Sequence, residues 1–153
     1  MNRFDPFADR RSRDLRNRLS ESLMRSLDAL KADSFEGALS ELSSLSLPPS
    51  YRSYVDDRLR RYRDCLGEIA GRRLSDRVMQ SVVLWNHGLF FEAHERLESV
   101  WRESSGEHKA ALKGLIQAAG VFVHREHGRI GSADRLSKKA AELLRKYGHL
   151  LPV

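Results

Sequence analysis

Apolar positions along the chain recur every three or four residues and nowhere alternate with a period of two, so the sequence predicts helices and no strands. The first helix is expected over about 8–31, with Leu15, Leu19, Leu23, Leu27 and Leu30 as its apolar stripe. A shorter one over about 35–45 ends in a Ser-rich run before Pro48 and Pro49. Proline lacks the amide hydrogen that continues a helix and pushes its predecessor out of the helical region, so this is the clearest boundary in the chain. A long helix follows from about Ser50, with Tyr51, Val55, Leu59, Tyr62, Leu66, Ile69 and Ala70 on one face. Arg58, Arg60, Arg61 and Arg63 fall largely off that stripe. Gly71 and the Ser75-Asp76 pair mark a break and an N-cap, and further helices are expected over about 77–86, 90–102 and 107–127.

Three helix junctions share a short pattern: Asp33-Ser34-Phe35-Glu36-Gly37-Ala38, Gly88-Leu89-Phe90-Phe91-Glu92-Ala93 and Gly128-Arg129-Ile130-Gly131-Ser132-Ala133. A turn-tolerant residue is followed two positions on by a large apolar residue and five positions on by Ala. Gly, or less comfortably Asp, takes the left-handed conformation that ends a helix. The large residue is then expected to plug the hairpin, and the Ala to let the two helices approach closely. The arrangement resembles the turn of a tetratricopeptide hairpin, but its recurrence after 55 and then 40 residues departs from that family's period of about 34. The expected fold is therefore all-α: a compact multihelical array of helix–turn–helix hairpins and not a regular solenoid. Residues 1–47 would form an N-terminal hairpin and residues 48–153 a helical core domain.

Composition narrows the setting. With 41% hydrophobic and 31% charged residues over 153 positions, the chain can bury a core and is not of disordered type. Its single cysteine, Cys65, excludes an intrachain disulfide and a four-cysteine zinc site, and suits a reducing compartment. The opening MNRFDPFADRRSRD is too charged for a signal peptide, and the uncharged stretches 78–91 and 114–124 are too short to span a bilayer. A cytoplasmic protein without membrane attachment is expected. Residues 1–75 carry 15 Lys/Arg against 12 Asp/Glu, and residues 76–153 carry 12 against 9, so the net +6 is shared equally between the halves. A nucleic-acid surface usually shows a denser stripe of one sign. Arg10, Arg11, Arg13, Arg16 and Arg18 are interrupted by Asp9 and Asp14, and the tyrosines among the arginines of 58–63 sit at core spacing. Both read as solvated mixed-charge faces, which makes nucleic acid the weakest of the partner readings.

Candidate chemistry lies in residues 84–103. With Phe90 at zero on a helical wheel, Ala93, Leu97, Val100 and Trp101 form one buried stripe, with His94 at its edge and Glu98 one turn later on the same side. Glu95 and Glu92 are expected to point progressively toward solvent. Residues 107–127 are apolar nearly all round, as in a central helix, but carry Gln117 and His124 on one face with Gly120 between them. A cluster of His94, Glu98, Gln117 and His124 between these helices follows. It could be an internal hydrogen-bond network fixing helix register. The working expectation is a module that binds a small ligand or a protein partner in a pocket between the helices over about 90–102 and 108–127, lined by Glu92, His94, Glu95, Glu98, Gln117 and His124. Or it could be a metal or acid–base site using His94, Glu98 and His124. The metal signal is incomplete: no second His stands four residues from His94, and no Glu-x-x-His pair is present in this segment. A phosphate loop and a nucleophile elbow are also lacking, so enzymatic activity stays open and no cofactor is specified. Trp85 and Trp101 are expected to anchor the core, and His87 and His127 to serve helix ends, whereas His108 and His149 carry no functional argument.

The run Gly88-Leu89-Phe90-Phe91-Glu92-Ala93-His94-Glu95, then Leu97-Glu98 and Trp101, then Gly114-Leu115-Ile116-Gln117, resembles the bacterial and archaeal domain of unknown function family 309. Gly131-Ser132-Ala133-Asp134-Arg135-Leu136 looks like its closing helix, so the resemblance covers about 76–147. It implies a compact multihelical fold with no established activity, and its shared polar positions map onto Glu92, His94, Glu95, Glu98 and Gln117. Residues 1–75 lie outside it.

Overall fold

A computed structural model describes residues 3–153, and every helix expected from the periodicity is present in it. Helix α1 (Arg10–Ala29) starts at Asp9, whose carboxylate accepts the Ser12 amide at 2.8 Å. It is followed by α2 (Asp33–Ser43) and by α3 (Pro49–Gly71). The latter places a proline at its first position, where the missing N–H would have had no partner anyway. Helix α4 (Arg77–Asn86) is capped by Asp76, which accepts the Met79 amide at 2.9 Å. Helices α5 (Phe90–Trp101), α6 (Gly106–Glu126) and α7 (Ile130–Tyr147) complete the chain, with a closing 3₁₀ turn at Gly148–Leu150. Among the described residues there is no strand, and no helix is long and apolar enough to cross a membrane.

The chain divides into two compact units, Met1–Arg73 and Leu74–Val153. The division falls at the α3–α4 connection and not at the Pro48–Pro49 turn expected to separate residues 1–47 from 48–153. The physical reason is that α3 packs back on α1, which keeps it with the first two helices. In this first unit Leu19, Leu23, Phe35, Leu42, Val55, Tyr62 and Ile69 form the buried core, with the Phe35 ring edge-on to Tyr62. Arg58 departs from expectation. It is buried rather than off the core face, its guanidinium lying over the Tyr54 ring at 4.9 Å. Its neighbours behave as a mixed-charge face: Asp57 takes Arg60 and Arg61 at 3.0 and 3.2 Å, and Arg63 pairs with Glu36 at 2.8 Å.

In the second unit each helix packs on the next in the order α4, α5, α6, α7. Val78, Leu97, Leu112 and Ile116 centre its core, with Val100, Trp101, Leu115 and Leu151 against them. Helix α6 lies between α5 and α7, which accounts for its nearly continuous apolar surface. Trp85 meets Phe90 and Phe122 edge-on, at 5.5 and 5.2 Å, so this end of the unit is closed by aromatic rings.

The junction pattern is half right. Ala38, Ala93 and Ala133 are all buried, and Gly88 and Gly128 take the left-handed conformation with φ of 72° and 71°. At the first junction, however, that conformation belongs to Leu30 (φ 53°), while Asp33 opens α2. The plugs also differ. Phe35 is buried as expected, but at the second junction Leu89 is the fully buried residue and Phe90 only half so. At the third, Ile130 is 62% exposed. Close approach at the Ala closes the turn without a plug there.

Candidate functional site

Helix α5 is packed by α4 and by α6, and this double contact decides where its polar side chains go. Glu92, expected to face solvent, is fully buried (0% exposed), as is Arg96 one turn later (4%). The contact with α4 explains it. Arg96 Nε donates to Gln80 Oε1 at 2.8 Å, and Gln80 Nε2 donates in turn to the Leu74 carbonyl at 2.8 Å. Guanidinium and amide thus sit together in the α4–α5 seam, with Glu92 buried one turn before Arg96 on α5. Arg96 and Gln80 were not singled out in the sequence. The available signal was an opposite-charge pair at i and i+4 on α5 combined with Gln80 amid the apolar residues of α4.

On the far side of α5 from this seam stand His94, Glu95 and Glu98. Each offers a ligating atom, and these atoms all lie within 4.8 Å of one another. The helix accounts for this, since His94 and Glu98 are one turn apart and Glu95 adjoins His94. All three are half-buried. His94 Nδ1 is shielded from solvent, makes no hydrogen bond and lies 3.6 Å from Glu95 Oε1. Its ring is parallel to that of Phe91, 6.4 Å away. Glu98 Oε2 is 3.4 Å from Arg102 Nη2. In the tautomer that leaves Nδ1 bare, two lone-pair atoms at that spacing match adjacent ligands of a divalent ion. Bonds of about 2.0–2.2 Å in a tetrahedral site set ligands about 3.3–3.6 Å apart.

His124 is not in this group. Phe90 stacks on Phe122 at 4.8 Å, and Leu97 and Leu115 line one cavity. Helices α5 and α6 therefore run antiparallel in a register that sets Gln117 level with His94 and Glu95. It puts His124, seven residues beyond Gln117, about 10.5 Å further along α6 at about 1.5 Å per residue. The ligating atoms that converge are those of His94, Glu95 and Glu98, and His124 is not among them. Burial, then the nearby charges of Arg129 and Arg135, hold the His124 imidazole below its ordinary pKa. Gln117 Oε1 is buried and makes no hydrogen bond. His87 and His127 are the C-cap residues of α4 and α6, the helix-end role expected of them.

These features define an all-helical unit of short-turned hairpins with a polar, half-buried face on its second helix. The family model described as Domain of unknown function (DUF309) matches residues 78–136 of the chain, from α4 into α7 and including the whole His94–Glu98 face. The resemblance expected from the Glu-Ala-His-Glu run is shown over those residues. No curated protein and no solved structure matches the chain.

Proposed function

We propose that the unit Leu74–Val153 is a divalent-cation-binding module with His94, Glu95 and Glu98 as protein ligands. The observation that carries this reading is the convergence of one imidazole and two carboxylates within 4.8 Å on a half-buried helix face. A neutral imidazole and two carboxylates present two negative charges to a divalent ion. Mixed nitrogen and oxygen donors suit a zinc- or manganese-type ion better than calcium, which takes six to eight oxygens. Three protein ligands leave coordination positions open, and an open position is what allows a bound water or substrate atom to be polarised. The metal-dependent enzyme reading rests on that feature, and the lone buried Cys65 fits a cytoplasmic setting. Calorimetric titration of the full chain with Zn²⁺ and with Mn²⁺ tests it. One saturable site per chain, lost in His94→Ala at unchanged helix content, is expected. Absence of saturable binding of either ion by the wild-type chain overturns it.

A small-ligand module is the second reading, favoured by a separate observation. Ser81, Val82, Trp85, Asn86, Leu97 and Leu115 line a cavity of about 250 Å³. The walls are mainly apolar, so the fitting ligand is a small ring compound and not an ion. Trp85 fluorescence during titration with p-cresol reads this directly. Saturable change in the wild type, abolished in Val82→Phe, supports it, whereas a linear response in both removes it.

A further inference from the structure

Ser81, Val82, Trp85 and Asn86 of α4 line the cavity of about 250 Å³ together with Leu97 of α5 and Leu115 of α6. An apolar cavity of roughly 150 Å³ holds benzene, so this one has room for a ring with a substituent. Trp85 makes a firm wall, because its ring is edge-on to both Phe90 and Phe122. Of the six residues, Ser81 alone is both polar and buried, at 2% exposure, whereas Asn86 is exposed. The Ser81 hydroxyl lies 2.6 Å from the Val78 carbonyl. A carbonyl can only accept, so the single hydroxyl hydrogen is committed to it, and Oγ keeps acceptor capacity alone. An acceptor in an otherwise apolar wall discriminates between rings of the same shape. One that carries an O–H or N–H gains a bond there, and one that lacks it does not. We infer that the cavity takes a small ring compound with one hydrogen-bond donor, of the phenol or indole type, and that Ser81 Oγ selects it by accepting that hydrogen. This rests on the small-ligand reading above and names the class of ligand for it. An ether or a carboxylate would set lone pairs against those of Oγ and gain nothing.

The experiment titrates p-cresol and toluene, which differ only by the hydroxyl, into the full-length wild type and Ser81→Ala, reading both through the Trp85 indole N–H resonance. Ser81→Ala is expected to bind p-cresol about three- to tenfold more weakly, the range of one neutral hydrogen bond, and toluene within about twofold of wild type. Wild-type chain that binds neither compound overturns this inference and the small-ligand reading together. If p-cresol affinity is unchanged in Ser81→Ala, or both compounds weaken equally, selection by Ser81 is overturned and the cavity reading stands. Wild-type chain that takes toluene and not p-cresol has the same consequence. Should Ser81→Ala fail to fold, Ser81→Cys decides, since a thiol sulfur is the weaker acceptor. It must weaken p-cresol relative to toluene, and an unchanged ratio overturns the inference.

Discussion

Arg102 follows Glu98 by one turn, and its guanidinium lies 3.4 Å from a carboxylate that the cation would use. The pair is exposed on the arginine side, so its own strength is in the range of about 0.2–1 kcal/mol. Removing the competing positive charge should nevertheless favour the ion. Arg102→Gln is expected to tighten Zn²⁺ binding by about two- to fivefold in low salt, with the gain shrinking as salt rises. Weaker binding in that variant would show that Arg102 supports the site instead. The α4–α5 seam has a different sensitivity. Gln80→Ala removes the acceptor of Arg96 Nε and leaves a buried guanidinium donor unsatisfied, which should cost about 1–3 kcal/mol in urea unfolding. Cation affinity should stay near wild type, since the seam lies on the other side of α5. His124 gives the pH dependence. Its pKa is lowered on folding, by burial first and then by Arg129 and Arg135, so the unfolded chain takes up its proton more readily. The stability tied to the neutral ring is complete above the unfolded value of about 6.5 and is lost as pH falls through the lower folded value. Melting temperatures from pH 7.5 down to 5 should fall less steeply in His124→Gln than in the wild-type chain.

At the scale of helices, α6 and α7 approach closely at two glycines that are not equivalent. A Cβ on Gly114 would meet Leu143 Cβ and Leu144 Cγ at 3.0 Å, atoms near the α7 backbone. On Gly120 it would meet only Leu136 Cδ2, at 2.8 Å, the far end of a side chain that can turn away. Gly114→Ala should therefore cost about 1–3 kcal/mol through overpacking and Gly120→Ala clearly less, as read by chemical unfolding. The same comparison shows what a sequence makes legible. Helix spans and the Asp76 cap were readable because they depend on local spacing and on one side chain reaching its own backbone. Glu92 was misjudged because a single 100° apolar arc presumes one packing partner, and α5 has two. The His94, Glu95 and Glu98 face was legible as a helical neighbourhood. The distance of His124 from it was not, because that depends on the register of α5 against α6, set by ring contacts far apart in the chain.

For the molecule as a whole, the boundary at Arg73–Leu74 leaves the family-matched residues 78–136 and the entire proposed site in one unit. A fragment of residues 74–153 keeps the four helices, the aromatic end, the core around Leu97 and Leu112, and the three proposed ligands His94, Glu95 and Glu98. A domain of that size can bury enough surface to stand alone. It should give a cooperative melt and bind Zn²⁺ within about twofold of the full chain, which corresponds to about 0.4 kcal/mol. The family-matched segment 78–136 should not behave so. It ends within α7, before Leu143 and Leu144, which cover Gly114, and before Leu151, which packs on the core. It also begins after Asp76, the cap of α4, and Leu74, whose carbonyl holds Gln80. With the outer half of α7 absent, one side of α6 would face water, and apolar surface exposed in that way costs about 25 cal/mol for each Å². Circular dichroism should show a broad, non-cooperative melt for 78–136 beside a sharp one for 74–153. Equal, sharp melts would mean that the end of α7 contributes little and that the matched segment is itself the folding unit.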